Sequence, residues 1–168
     1  GLTVAREIMR QLPNERIVYF GDTARVPYGS KSRDTVLRYS RQIIRFLRTR
    51  EVKAIVIACN TATSAAASIM RQKYTIPIIG IEPAVKPAVE QSHGRRVMVV
   101  ATPLTIREEK LKNLVDRVDN AHHVDLLPLP ELVTFAEREE FNSPQVEAYL
   151  HKELSSYDLS TYGELVLG

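Results

Sequence analysis

A single cysteine in 168 residues stands in the run Cys59-Asn60-Thr61-Ala62-Thr63, directly after the apolar stretch Ala54-Ile55-Val56-Ile57-Ala58. The order thiol, carboxamide, hydroxyl places a group able to carry a proton beside side chains able to hold a polar ligand. The apolar run reads as a buried strand, so the thiol falls where that strand surfaces, and in open α/β sheets ligands gather outside the carboxyl ends of the strands. The competing reading is structural, because free cysteine is among the most buried residue types and packs as a small hydrophobe.

A second polar constellation, Gly21-Asp22-Thr23-Ala24-Arg25-Val26-Pro27-Tyr28-Gly29-Ser30-Lys31-Ser32, follows the apolar run Ile17-Val18-Tyr19-Phe20. Loops of this kind carry function when a scaffold positions them. Gly29 permits close approach of backbone to a ligand, Tyr28 and Ser30 supply hydroxyls, and Pro27 limits local freedom. A turn running into a helix cap would account for Gly29, Ser30 and Ser32 without any ligand. Further on, Val97-Met98-Val99-Val100-Ala101-Thr102 is another apolar run ending in a hydroxyl, ahead of a helix start at Thr105-Ile106 suited to holding a carboxylate. Thr105 is also read as the cap of that helix.

The elements that must position these groups alternate. Apolar runs of strand length occur at 17–20, 54–59, 76–81, 97–101, 123–127 and 164–167, and segments of helical periodicity at 3–12, 33–50, 63–73, 83–92, 105–118, 132–139 and 144–157. Ser32 and Ser143 suit N-caps, and Pro144 suits a first helical position. Several near-continuous Ile/Val runs predict parallel sheets covered on both faces. The fold class expected is α/β, divided approximately into residues 1–91 and 92–168. The chain opens on a helix with no strand before it and closes on a strand, which reads as an α/β fold lacking its first strand and its C-terminal part.

Composition sets the remaining bounds. With 44% hydrophobic and 26% charged residues the chain can bury a real core, and no apolar run approaches the roughly 20 residues of a membrane-spanning helix. One cysteine and no charged-then-apolar leader point to the cytoplasm. Arg38, Arg41, Arg45 and Arg48 recur at helical spacing, opposite Val36, Ile43, Ile44 and Leu47, and read as a solvated helix face rather than a nucleic-acid surface, with a net charge of only +3. His122 and His123 are adjacent on an expected strand, so they point to opposite faces and form no joint metal site. No metal is expected.

Taken together, Gly1-Leu2-Thr3-Val4, Tyr19-Phe20-Gly21-Asp22-Thr23-Ala24-Arg25, Pro27-Tyr28-Gly29, Ile57-Ala58-Cys59-Asn60-Thr61-Ala62-Thr63 and Ile76-Pro77-Ile78-Ile79-Gly80 resemble the cofactor-independent aspartate/glutamate racemase family. The resemblance runs over essentially the whole chain. It implies two similar α/β domains with the substrate site between them, no cofactor, and a homodimer in the intact enzyme. It also implies an Asp-Ser-Gly segment before the position of Gly1 and a Cys-Thr-His segment after Gly168, the latter carrying the second of two catalytic cysteines. Neither is among these 168 residues.

By that resemblance Cys59 is one of two thiols exchanging acid and base roles, and Tyr28, Gly29, Asn60, Thr61 and Thr102 bind substrate. Pro27 and Ser30 match less well. Glu137, closing Pro130-Glu131-Leu132-Val133-Thr134-Phe135-Ala136-Glu137, matches a glutamate that assists the second cysteine; its neighbours Arg138, Glu139 and Glu140 equally suit a solvated helix end. Thr134 stands where proline is common, and Leu104 where glycine or asparagine is usual. The reaction implied is interconversion of L- and D-glutamate, supplying D-glutamate for peptidoglycan, with this chain inactive alone. Aspartate or hydantoin racemisation is the alternative within the superfamily, and a non-catalytic binding protein the alternative outside it.

Overall fold

The computed structural model describes residues 1–119 and 121–168. Along the chain run α1 (Leu2–Gln11), α2 (Arg33–Arg48), β1 (Ile55–Ile57), α3 (Asn60–Lys73), β2 (Ile78–Gly80), α4 (Val85–Gln91), β3 (Arg96–Ala101), α5 (Pro103–Arg107), α6 (Glu109–Val118), β4 (Val124–Pro128), α7 (Pro130–Glu137), α8 (Pro144–Leu154) and β5 (Tyr162–Leu167). The chain divides into two compact units, Gly1–Ile81 and Glu82–Gly168. This boundary lies ten residues before the sequence-based division at 91/92. Both units are α/β with parallel pairing.

In the first unit β1 pairs with β2 in parallel, Ile55 opposite Ile78 and Ile57 opposite Gly80. A parallel pair needs a crossover, and α3 provides it. Its small residues Ala65, Ala66 and Ala67 are buried and let the helix lie close to its neighbours, while Ile44, Ile55, Met70 and Ile78 complete the core with Ala66. Ser32 caps α2, accepting the amide of Thr35 at 3.2 Å. Val36 and Ile44 face inward on α2 and Arg38, Arg45 and Arg48 are exposed, as the arginine spacing predicts, whereas Arg41 of the same expected stripe is half-buried with its Nε buried.

The second unit has a three-stranded sheet in the order β4-β3-β5, all parallel. Alternation along β3 sends Val97 and Val99 into a core with Val85, Ala88, Leu111, Leu114 and Val166, while Met98 and Val100 pack with Leu127 and Leu129 on the other face. A central strand covered on both sides is why 97–101 reads as an unbroken apolar run. Ser143 caps α8 through the amide of Val146, with Pro144 at the first helical turn.

Four expectations change. Residues 17–20 form no strand: their side chains are 37–50% exposed, and among the described residues β1 finds its ladder only with β2. An apolar β-prone run becomes a strand only when a neighbouring strand accepts its backbone bonds. The single helix expected over 105–118 is two, α5 and α6, broken at Glu108, whose φ of −74° and ψ of 136° are extended. Thr102 rather than Thr105 caps α5, because Pro103 occupies the first turn; Thr105 is fully buried one turn in. His122 and His123 precede β4 rather than lying on it: the Asp119 carboxylate accepts the amides of His123 and Val124 at 2.9 and 2.8 Å, and His122 has φ 56°.

Candidate active site

β1 ends at Ile57, Ala58 follows, and Cys59 turns the chain into α3 with φ −147° and ψ 122°. Its Sγ accepts the amide of Ala62 at 3.4 Å, so the cysteine itself is the N-cap of α3. The helix therefore begins at Asn60, three residues earlier than periodicity predicts. Sulfur is not among the usual capping atoms, which is why the start was not legible. The first amides of a helix lack partners within it and point out of its N-terminus. Here one of them, the amide of Ala62, donates to the partly buried thiol.

Asn60 is the first residue of α3, and its Oδ1 is buried with no hydrogen-bond partner among the described residues. Buried polar atoms are nearly always paired, and an orphaned acceptor calls for an explanation. Thr61 is 5% exposed.

The loop after residue 20 is tied together by Asp22. Its Oδ1 accepts from Arg25 Nε at 2.8 Å and its Oδ2 from the Tyr28 hydroxyl. Arg25 also donates to Gln42 Oε1 at 2.6 Å and lies 4.3 Å over the Tyr39 ring, itself 6.0 Å from the ring of Tyr28. Burial pushes the Tyr28 phenol well above the ordinary tyrosine range, its hydrogen bond to Asp22 and that carboxylate's charge add to the rise, and Cys59 contributes a smaller increment. Tyr28 is half-buried. Gly29 is buried beside it. Pro27 and Ser30 are engaged within the loop, the Pro27 carbonyl accepting from Ser30 Oγ at 3.4 Å and Lys31 Nζ at 2.9 Å.

The remaining candidates belong to the second unit. Thr102 follows the carboxyl end of β3; its hydroxyl accepts the Thr105 amide at 3.3 Å and lies 3.0 Å from the Thr105 hydroxyl. Glu137 is the exposed last residue of α7. A cavity of about 400 Å³ in this unit is lined by Met98, Val100, Leu129, Leu150, Tyr162 and Leu167 among others, and includes neither Thr102 nor Glu137. Its apolar walls suit packing rather than proton transfer. Among the described residues no cluster of histidine, cysteine, aspartate and glutamate could hold a metal ion, and no helix is long and apolar enough to cross a membrane.

Two residues gain a place that sequence reading did not assign. Asp22 holds Tyr28 and Arg25, and Thr63 links the elbow to both strands, its Oγ1 donating to the Ile57 carbonyl at 3.1 Å and accepting the Ile81 amide at 3.2 Å. The available signal for Thr63 was a hydroxyl four residues after the cysteine, one helical turn on.

Both units are parallel α/β, and in the first a thiol caps the crossover helix just after the end of β1. The sequence profile of the Asp/Glu/Hydantoin racemase family matches residues 2–168, and the chain belongs to that family. It is 49% identical to the glutamate racemase of Campylobacter curvus over 100% of this chain and 65% of that protein, and 50% identical to that of Halothermothrix orenii over 100% and 66%. Among solved structures, Francisella tularensis glutamate racemase in complex with D-glutamate superposes with a TM-score of 0.80 at 34% identity, covering 98% of this chain and 62% of that one. Escherichia coli glutamate racemase, in complex with L-glutamate and the activator UDP-MurNAc-ala, gives 0.86 at 28% identity, covering 100% and 64%. The chain spans about 65% of the length of the C. curvus relative.

Proposed function

We propose that this chain is the larger part of a glutamate racemase, with Cys59 as one of two acid/base thiols. The observation that carries the reading is the elbow itself: a partly buried thiol caps α3 at the carboxyl end of β1, beside the orphaned Asn60 Oδ1. Support comes from the family match and from relatives near 50% identity that are named glutamate racemase.

Inversion of an α-carbon without a cofactor requires a base on one face and an acid on the other. As thiolate, the Cys59 sulfur takes the α-proton; the Cα–H electron pair stays on carbon, and a proton arriving from the opposite face forms the new Cα–H bond. In the reverse direction the Cys59 thiol delivers the proton. One sulfur serves one face, and these 168 residues hold a single cysteine, so without a second thiol this chain alone racemises poorly or not at all. Asn60 Oδ1 is an acceptor suited to the substrate ammonium, and Thr61, Tyr28 and the Gly29 backbone hold the remaining polar groups. Thr102 and Glu137 are proposed by their match to the family pattern, as a substrate contact and a catalytic assistant. D-glutamate made in the cytoplasm would enter peptidoglycan synthesis, and the intact enzyme would be a homodimer.

Circular dichroism of L-glutamate tests this, using the chain as given, a chain extended to its relatives' length, and the extended Cys59→Ala variant. Racemisation by the extended chain, reduced at least about 100-fold by Cys59→Ala, is expected. Equal activity with and without the thiol would overturn the assignment.

A further inference from the structure

We propose that Thr63 is a positioning residue for Cys59, fixing the sulfur by welding the first turn of α3 to both strands of the sheet. The inference rests on the reading of Cys59 as an acid/base, and extends it to a residue that touches no substrate.

Between the last residue of β1 and the first of α3 lie only Ala58 and Cys59, so the place of the sulfur follows from where the helix start sits against the strand end. Three bonds of one residue determine that. The Thr63 amide donates to the Cys59 carbonyl at 2.9 Å. Its hydroxyl donates to the Ile57 carbonyl and accepts the Ile81 amide. Ile57 and Gly80 form the last register pair of the β1–β2 ladder, so the hydroxyl bridges the backbone just where the ladder stops. The amide that caps the sulfur belongs to the preceding residue, Ala62. A movement of residue 63 is therefore transmitted to the N–H···S contact.

Burial makes the arrangement stringent. Thr63 is 1% exposed, and water cannot readily replace either hydroxyl bond. The glycine at position 80 is part of the same device, since a β-carbon there would meet the Thr63 methyl closer than the 3.0 Å that real β-carbons respect.

The single cysteine makes alkylation by iodoacetamide a one-site probe of the elbow in the chain as given. Rates would be measured across pH for wild type, Thr63→Val and Thr63→Ser, well below each protein's melting temperature. Thr63→Val, which keeps the shape and removes the hydroxyl, is expected to change the Cys59 rate by at least about threefold at fixed pH and to displace its pH profile, with Thr63→Ser restoring both. In the extended chain the same variant should lower kcat with KM little changed. A folded Thr63→Val protein with the wild-type alkylation profile would overturn the proposal. Where valine prevents folding, Thr63→Ala against Thr63→Ser makes the same comparison, and equal profiles overturn it. Alkylation needs no substrate: a Thr63 effect accompanied by racemisation indifferent to Cys59→Ala would reject the racemase reading alone, whereas loss of racemisation in Cys59→Ala with no Thr63 effect would reject the positioning role alone.

Discussion

Gly80 passes so near the side chain of Thr63 that a β-carbon at position 80 would fall within 3.0 Å of the threonine methyl, while the hydroxyl of the same threonine binds the amide of the next residue, Ile81. Contact and hydrogen bond together lock the end of β2 onto α3. Gly80→Ala should cost about 1–3 kcal/mol, the usual range for overpacking a dense core. In a Thr63→Ser background the offending methyl is gone, and the same substitution should cost less. Urea midpoints of the four proteins in a double-mutant cycle check this; additive losses would show that the two residues do not meet.

Asp22 joins Arg25 and Tyr28 from a side chain only 11% exposed. Asp22→Ala leaves both donors without their acceptor and should cost about 1.5–3 kcal/mol, as for other charged hydrogen bonds. Tyr28→Phe, which removes only one donor, should cost less. Spectrophotometric titration of the tyrosines gives an independent check, since Tyr28→Phe should remove a phenol that ionises above the ordinary range.

At the amino end of the second unit's sheet, Arg96 grips Asp125 with two bonds of 2.8 and 2.6 Å, and the Tyr162 hydroxyl donates to the same carboxylate at 2.5 Å. The Arg96 bond, more than the opposing effect of burial, holds the Asp125 carboxyl below the usual carboxylate range. A folded-state value below the unfolded one stabilises the fold above the unfolded pKa, and that stability is lost as pH falls through the folded value. Urea midpoints measured from pH 6 down to pH 2 should therefore fall less steeply for Asp125→Asn than for wild type.

The serine caps of α2 and α8 each accept an N3 amide, at 3.2 Å for Ser32 and 3.4 Å for Ser143. Replacement of either by alanine should cost about 1 kcal/mol, read from thermal or urea unfolding.

Features that depend on local pattern were legible. The unbroken run 97–101 is the doubly covered strand β3, three of the four spaced arginines mark the outer face of α2 while Arg41 is half-buried, and Ser32 and Ser143 stand where caps were expected. What escaped depends on partners distant in sequence or on unusual chemistry. Residues 17–20 have strand composition without a ladder, and the start of α3 was hidden because a sulfur does the capping. At the candidate site, the thiol, amide and hydroxyl of 59–61 are candidates by residue type alone, whereas Asp22 and Thr63 enter through hydrogen bonds that span six and eighteen residues.

The central claim, that Cys59 moves the α-proton of glutamate, is tested most directly in deuterium oxide. The chain extended to its relatives' length would be incubated with L-glutamate, and α-deuterium followed by NMR while optical rotation is recorded. Deuterium entering the α-position as D-glutamate forms, with the formation of deuterated D-glutamate abolished by Cys59→Ala, is the expected result. Deuterated D-glutamate formed by Cys59→Ala at the rate of the unaltered protein would contradict the account, since inversion would then proceed without this thiol.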